Sequence, residues 1–270
     1  LILVLIACPS VRAQHAKNPV VLKDGTVYTG QMKLGKPNGT GRTDYVNGDV
    51  YEGAFEKGQR KGVGICHYAN GDVYLGFWDK NARCGEGELQ YSSGDVYKGT
   101  WDDGCRHGKG VYMWVDGSYY SGQWDRDLRD GTGTMSWSDS SEYRGSWVKG
   151  LREGQGEFRS GNYSYSGLWK NDLENGNGIC TLPNGDTYKG QFKNGTISGQ
   201  GNYVFANGDS YNGSFKDGMA DGKGVFTWAE GSVYDGEWKE NRRDGTGRMK
   251  WANGDSYQGE WKDDVPWGNG

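Results

Sequence analysis

Aromatic and polar residues alternate in short segments along this chain. From Tyr51 to Phe55, an aromatic residue, a glycine and a second aromatic residue alternate with Glu52 and Ala54. Alternate side chains of a β-strand point to the same face, so this pattern predicts a strand with one aromatic and one solvated face. Because the same alternation returns along the chain, we expect an all-β fold.

The strand pattern is periodic. A Tyr-x-Gly motif, followed two residues later by a large apolar residue, recurs every 23 residues and once after 22. Its tyrosines are Tyr28, Tyr51, Tyr74, Tyr97, Tyr120, Tyr143, Tyr165, Tyr188, Tyr211, Tyr234 and Tyr257. A Gly-x-Gly motif and a second alternating segment complete each repeat. The sequence therefore predicts a single-layer antiparallel β-meander, an elongated and twisted solenoid of 23-residue hairpin repeats.

The aromatic face is expected to be the core of this single layer. A glycine on that face leaves a notch across which a neighbouring ring can lie, so stacked repeats can bury their own rings. We interpret these rings as a structural aromatic groove rather than a ligand site. In five successive repeats they are Tyr51, Phe55, Tyr74, Trp78, Tyr97, Trp101, Tyr120, Trp124, Tyr143 and Trp147.

Two kinds of connection alternate between the predicted strands. An Asn-Gly pair such as Asn47-Gly48 predicts a two-residue hairpin turn, because both turn positions need positive φ. The other connection, as from Glu56 to Gly62, is expected to be a longer loop. The aspartates that follow the Asn-Gly pairs are expected to serve these tight turns.

Composition narrows the function classes. The chain has 49 glycines, 12 tryptophans and 18 tyrosines, but only 34% hydrophobic residues, which is unlike a packed α/β enzyme. Its net charge is −4, from 31 basic and 35 acidic residues, and no basic tract suits nucleic acid. The three histidines fall at unrelated register positions. We therefore expect no catalytic residues, no cofactor and no metal site.

The N-terminal residues differ from the rest of the chain. Residues 1–13 resemble a truncated signal peptide or a membrane anchor, residues 14–27 form a lead-in, and residues 28–270 form the array of ten repeats and a partial eleventh. The segment Leu5–Cys8 also resembles a lipoprotein attachment box, and a transmembrane remnant is a third interpretation. We expect an exported or membrane-associated protein, with the cytoplasmic face of a membrane as the alternative.

One charged position recurs in five successive repeats, and we call these five residues the arginine ladder. They are Arg60, Arg83, Arg106, Arg129 and Arg152, and the pattern lapses at Glu174, Ile197 and Ala220 before Arg243. A row of guanidinium groups along one edge could bind an anionic protein surface or anionic lipid headgroups. The alternative is a solvated edge with local ion pairs to Asp79, Asp102, Asp125 and Glu153.

Two further features bear on assembly. Cys84 and Cys105 occupy the predicted long loops of adjacent repeats and could form a disulfide in an exported protein. The first and last strands of an open sheet expose unpaired backbone groups, so homo-oligomers through the sheet ends, or a flanking capping segment, are also expected.

The repeat resembles the MORN (membrane occupation and recognition nexus) repeat, whose unit reads Tyr-x-Gly-x-Trp, a loop glycine, Gly-x-Gly and a Gly-Asp turn. Residues 97–119 match that pattern nearly throughout, and the resemblance extends from Tyr28 to Gly270. Members of this family act as protein scaffolds, contact phospholipid membranes or accompany catalytic domains. The resemblance therefore implies a non-catalytic scaffold with protein partners and, as a second partner, an anionic phospholipid membrane.

Two alternatives follow from the same pattern. The array could regulate a larger enzyme, such as a phosphatidylinositol phosphate kinase, whose catalytic domain lies outside this sequence. It could also be a surface repeat protein that binds carbohydrate or choline, since those repeats are likewise aromatic-rich. They lack the tandem Gly-x-Gly motif, which argues against the second alternative.

Overall fold

The computed structural model describes residues 18–268, which divide after Leu128 into two compact units. The predicted signal-like segment, residues 1–13, lies outside the described residues, as do the first four residues of the lead-in. The described residues form 23 strands and no helix, so the predicted all-β meander of hairpins is confirmed. The lead-in contributes β1, in which Val20 pairs with Tyr28 of the first repeat.

The first unit contains ten strands, and consecutive strands pair antiparallel. They are β1 (Val20–Val21), β2 (Val27–Lys33), β3 (Lys36–Asp44), β4 (Val50–Glu56), β5 (Gln59–His67), β6 (Val73–Asp79), β7 (Ala82–Gln90), β8 (Val96–Asp102), β9 (Cys105–Met113) and β10 (Tyr119–Asp125). Among the residues of the complete repeats, each Tyr-x-Gly motif lies on the first strand of a hairpin and each Gly-x-Gly motif on the second, as predicted.

The second unit continues the same alternation. Its strands are β11 (Leu128–Ser136, whose first residue closes the first unit), β12 (Glu142–Val148), β13 (Leu151–Ser160), β14 (Tyr163–Lys170), β15 (Leu173–Thr181), β16 (Thr187–Lys193), β17 (Thr196–Val204), β18 (Ser210–Lys216), β19 (Met219–Thr227), β20 (Val233–Lys239), β21 (Arg242–Lys250), β22 (Ser256–Lys262) and β23 (Val265–Trp267). Here too, consecutive strands pair antiparallel.

The glycines of each hairpin make room for its tyrosine. In the β4–β5 hairpin Gly53 pairs with Gly64, and the Tyr51 ring lies across both. A Cβ added to Gly64 would overlap that ring, and one added to Gly53 would lie 2.6 Å from the Gly64 Cα. Because only glycine leaves this space, Tyr51 is completely buried on a face that has no covering layer.

The tyrosine hydroxyl bonds to a backbone carbonyl at the register shift of its own hairpin. Strand pairing shifts register between Gly53 and Phe55, so Ala54 has no partner in the ladder of β4 and β5. The Tyr51 hydroxyl donates to the Ala54 carbonyl over 3.1 Å. The same bond forms in every described repeat, for example from Tyr97 to the Thr100 carbonyl at 3.0 Å. The motif therefore favours tyrosine, because phenylalanine would lose this half-buried hydrogen bond.

Within each unit, aromatic contacts join neighbouring repeats. The Tyr74 ring meets Trp78 of its own hairpin and Trp101 of the next hairpin edge to face, at 5.1 and 5.4 Å between ring centres. The Trp101 indole also donates to the carbonyl of Gly87, which belongs to the preceding repeat. Within each unit, these contacts build a core from one row of rings, so no second layer is needed.

The lengths of the two kinds of connection are the reverse of those predicted. Lys57-Gly58 is the two-residue turn, and both residues have positive φ, 53° and 87°. At the Asn-Gly connection only Gly48 has positive φ, and Tyr45 bonds both Gly48 and Asp49, which is a three-residue loop. The predicted longer loop from Glu56 to Gly62 was therefore wrong, because strand pairing resumes at once after the Lys57-Gly58 turn.

Candidate functional site

The arginine ladder lies on strands rather than in loops. Each guanidinium lies over the indole of the tryptophan in the following repeat. The distances from Cζ to the ring centre are 4.0 Å for Arg60 over Trp78, 4.1 Å for Arg83 over Trp101, 4.5 Å for Arg106 over Trp124, 4.1 Å for Arg129 over Trp147 and 4.2 Å for Arg152 over Trp169. These distances are within the range of a cation–π interaction.

Each ladder arginine also bonds to the turn of the following repeat. The Arg83 guanidinium donates to the Gly104 carbonyl at 2.7 Å, and the Gly104 amide donates back to the Arg83 carbonyl at 2.9 Å. In two repeats the turn residue is an aspartate, and its carboxylate also accepts from the arginine Nε. These pairs are Arg106 with Asp127 at 2.9 Å and Arg152 with Asp172 at 3.1 Å. Each ladder arginine therefore links one repeat to the next.

Three of the four acids that we expected beside the ladder have other partners. Asp79 lies 3.8 Å from the Lys61 ammonium, and Asp125 lies 3.2 Å from the His107 imidazole. Glu153 accepts a hydrogen bond from the Asn171 amide. Strand pairing displaces these residues from the guanidinium groups, so the partners of Arg106 and Arg152 are turn residues 20 or 21 positions away.

A pattern that we missed links the ladder to the aromatic residues. Wherever the ladder position holds arginine, the following repeat supplies tryptophan, including Arg243 over Trp261 at 4.3 Å. Where the ladder position holds another residue, the following repeat supplies phenylalanine in three cases: Pro37 with Phe55, Glu174 with Phe192, and Ile197 with Phe215. The sequence contains this signal, but it appears only when neighbouring repeats are compared at an offset of 18 residues, as from Arg60 to Trp78. Tryptophan is the best partner for a guanidinium, which explains the pairing.

The rings of the predicted aromatic groove are buried within the sheet. Tyr51, Tyr74 and Tyr97 have no exposed surface, and Trp78 and Trp101 are each 3% exposed. Tyr120, Trp124, Tyr143 and Trp147 are buried in the same way. Burial also raises the pKa of Tyr143 to about 12, since a phenolate would lose its hydration there.

The aspartates at the three-residue loops form a second set of links. The Asp72 carboxylate accepts a hydrogen bond from the Ser92 amide of the next repeat at 2.8 Å. Asp49, Asp95, Asp186 and Asp209 bond in the same way to the next loop. The aspartates therefore do more than serve their own turns, because they bridge repeats along the edge opposite the ladder.

The four cysteines among the described residues are free thiols. Cys84 lies on β7 opposite Phe77, and Cys105 lies on β9 opposite Asp102, so neither lies in a long loop. Both are half-buried, whereas Cys66 and Cys180 are buried in the aromatic face. Burial raises the pKa of the Cys180 thiol to about 11. The disulfide between Cys84 and Cys105 stays a prediction.

The solvated face carries several groups of apolar side chains, and we call the one on β5 and β6 the outer apolar patch. It consists of Val63, Ile65, Leu75 and Phe77, in which Val63 pairs with Phe77 and Ile65 with Leu75 across β5 and β6. Val63, Leu75 and Phe77 are 43 to 46% exposed. The same positions in the next repeat hold polar residues, Glu86, Glu88, Lys98 and Thr100.

Residues 18–268 contain neither a metal-binding cluster nor a helix that could span a membrane. No three histidine, cysteine or acidic side chains of this part of the chain lie close enough to hold a metal ion. This part also contains no apolar helix of the length that crosses a membrane.

The chain matches a known repeat family along most of its length. The family model described as MORN repeat matches 11 consecutive segments that span residues 28–270. No curated protein matches the chain. Similar solved structures include the TCP10 domain of Danio rerio CPAP in complex with a Danio rerio STIL peptide, at 12% identity and a TM-score of 0.41, covering 90% of this chain and 99% of that chain. The SAS-4 (dCPAP) TCP domain of Drosophila melanogaster, in complex with a proline-rich motif of Ana2, is 17% identical with a TM-score of 0.36, covering 68% of this chain and 96% of that chain.

Proposed function

This chain belongs to the MORN repeat family, and on that premise we propose that it is a non-catalytic scaffold that binds partner proteins through the solvated face of its sheet. The aromatic face is occupied by its own packing, and the ladder arginines link neighbouring repeats. The solvated face is therefore the surface on which repeats differ from one another, and differences between repeats are what a specific partner could recognise.

The outer apolar patch is the observation that carries this proposal. Two adjacent cross-strand pairs place four apolar side chains together on a face that is polar at the same positions in the next repeat. The fold does not need them, since Glu86, Glu88, Lys98 and Thr100 occupy the same strand positions without disturbing the pairing. Exposed apolar clusters rimmed by polar residues mark protein interaction sites.

The test replaces patch residues by those that the next repeat carries at the same positions. Leu75→Lys with Phe77→Thr copies Lys98 and Thr100, so the variant should fold. Tagged full-length protein is isolated from cells that produce it naturally, and co-purified proteins are quantified by mass spectrometry. We expect the amount of each specific partner that co-purifies with the double variant to fall at least about tenfold. This corresponds to about 1.4 kcal/mol of binding free energy.

Val204→Thr is the matched control. Val204 is 39% exposed, but its cross-strand neighbours are Thr187 and Ser210, so it is not part of an apolar cluster. The control should keep the partners that the double variant loses. The proposal is wrong if the double variant retains every partner in wild-type amounts while its circular dichroism spectrum and melting temperature show a folded protein.

A further inference from the structure

Trp238 breaks the pairing of arginine with tryptophan. Every other tryptophan at this repeat position has an arginine over its ring, but the ladder position before Trp238 holds Ala220. Trp238 is 9% exposed, compared with 3% for Trp78 and Trp261, whose rings are covered. Where the ladder lacks arginine elsewhere the following repeat has phenylalanine, so Trp238 is the one indole in this series that lacks the guanidinium its position usually has.

The backbone at Ala220 has the geometry that holds a ladder arginine. The Ala220 amide donates to the Asn241 side-chain oxygen at 2.7 Å, and the Arg60 amide donates to the Asn81 side-chain oxygen at 2.8 Å. The Asn241 amide bonds back to the Ala220 carbonyl at 2.9 Å. The Arg60 guanidinium donates to the Asn81 carbonyl, and alanine at 220 supplies no donor for the corresponding Asn241 carbonyl.

The rings around this position also match those around a ladder arginine. Arg152 lies 5.6 Å from the Tyr143 ring, 5.7 Å from Phe158 and 4.2 Å from Trp169. Tyr211, Phe226 and Trp238 are the residues at the same three repeat positions around Ala220. Phe226 does not close the position, because Phe158 accommodates Arg152 at the same place.

A cavity of about 370 Å³ opens beside Ala220, where other repeats have the side chain of a ladder arginine. Its lining includes Phe205, Tyr211, Ala220, Phe226, Trp238 and Asn241. The cavity of similar volume beside Trp78 differs, since Arg60 and Arg83 are part of its lining. Truncation of the ladder side chain to a methyl group thus leaves a slot with aromatic walls and a carbonyl acceptor.

We propose that this slot binds an arginine side chain of a partner protein, which completes the ladder in trans. The guanidinium would stack on Trp238 and donate to the Asn241 carbonyl, as the chain's own arginines do in other repeats. Lysine fits this slot less well than arginine, because its compact ammonium lacks the planar fork that can lie on a ring and donate to a carbonyl at its edge. The slot lies in the second unit and is independent of the outer apolar patch.

The experiment follows the indole NH signals of the ¹⁵N-labelled protein by NMR. The Trp238 signal is identified by its loss in Trp238→Phe, a substitution that copies Phe192 and Phe215. The probe is a short peptide of glycine and serine with one arginine, and the comparison peptide carries uncharged citrulline instead. We expect the arginine peptide to shift the Trp238 signal saturably and the citrulline peptide to bind at least about tenfold more weakly, since the cation–π attraction is lost.

The decisive variant is Ala220→Arg, with Ala220→Ser as its matched control. Arginine at 220 should fill the slot from within, abolish the peptide-induced shift and raise the melting temperature, whereas serine should leave binding within about twofold. Equal binding to Ala220→Arg and to wild type would overturn the proposal. It would also fail if no Trp238 shift occurred, or if tetramethylammonium shifted the signal more strongly than the arginine peptide. Should Ala220→Arg not fold, isothermal titration calorimetry of the arginine peptide with wild type and with Trp238→Phe decides the same question, and equal binding to both would overturn the proposal.

Discussion

The guanidinium of Arg83 lies 4.1 Å from the centre of the Trp101 ring, which belongs to the next repeat. The same side chain donates to the Gly104 carbonyl in the turn that follows Trp101. A charged residue that sequence reasoning assigned to a binding edge thus also connects repeats. Because repeat proteins derive much of their stability from contacts between neighbours, the ladder should affect stability whatever it binds.

The first prediction concerns this contact. Arg83→Lys keeps the charge but loses the planar stack and the carbonyl bond, so we expect about 1–2 kcal/mol of lost unfolding free energy. Urea unfolding followed by circular dichroism measures it. Arg144→Lys is the control, because the Arg144 side chain is 72% exposed and should change stability by less than about 0.5 kcal/mol. Equal stability of both variants would contradict the proposed role of the stack.

A substitution at Asn81 should stabilise the protein. The Arg60 Nε is buried and has no hydrogen-bond partner, whereas the Arg106 Nε donates to the Asp127 carboxylate at 2.9 Å. Asn81 and Asp127 have similar positive φ, 73° and 68°, so aspartate fits the turn. We expect Asn81→Asp to add about 1 kcal/mol to the unfolding free energy in low salt. Asn81→Ala should lower it, and a gain with alanine would refute this explanation.

The aspartate links on the edge opposite the ladder can be tested against a serine that the chain itself has at the same repeat position. Asp72→Ala removes the acceptor of the Ser92 amide and should cost about 1 kcal/mol. Asp72→Ser should cost less, because Ser232 occupies the same repeat position and its hydroxyl accepts from the Ala252 amide at 3.0 Å. Native-state hydrogen exchange at the Ser92 amide reports the bond directly. Unchanged protection of that amide in Asp72→Ala would show that the link contributes nothing.

Alkaline pH should unfold the protein. Burial raises the pKa of Tyr143, Tyr188 and Tyr211 to about 12 from the usual value of 10.0. The unfolded chain releases these protons near pH 10, so the stability they contribute is complete below about pH 10 and is lost as the pH rises towards 12. Melting temperatures between about pH 9 and pH 11 should fall, and tyrosinate absorbance should rise together with loss of the circular dichroism signal. Gradual ionisation with an intact spectrum would contradict this.

Lipid binding through the ladder stays a prediction, and it needs a test that separates charge from stability. Replacing all five ladder arginines by lysine, or all five by glutamine, removes the stack on tryptophan in both variants, but only glutamine removes the charge. If the ladder binds anionic lipid, flotation of the protein with anionic vesicles should weaken with salt, survive in the lysine variant and disappear in the glutamine variant. Equal flotation of both variants would place lipid binding elsewhere.

The sequence by itself determined the repeat, the strands and the core. Tyr51, Gly53 and Phe55 are alternate residues, and a period of two is the period of a strand. The glycine notch under Tyr51 also followed from the sequence, because a single layer must bury its rings against itself. Such features are local, and they recur in every repeat, so each repeat confirms the interpretation of the others.

The tertiary structure decided the turns, the links and the partners of the charged residues. The turn at Lys57-Gly58 has two residues because strand pairing resumes at Gln59, which no local motif reveals. The contact between Arg83 and Trp101 spans two repeats, so the sequence contains it only as an offset of 18 residues, and the register between strands shows what that offset means. For the same reason the slot beside Trp238 was not predicted: alanine at 220 acquires meaning only when the indole that lacks its guanidinium is in place.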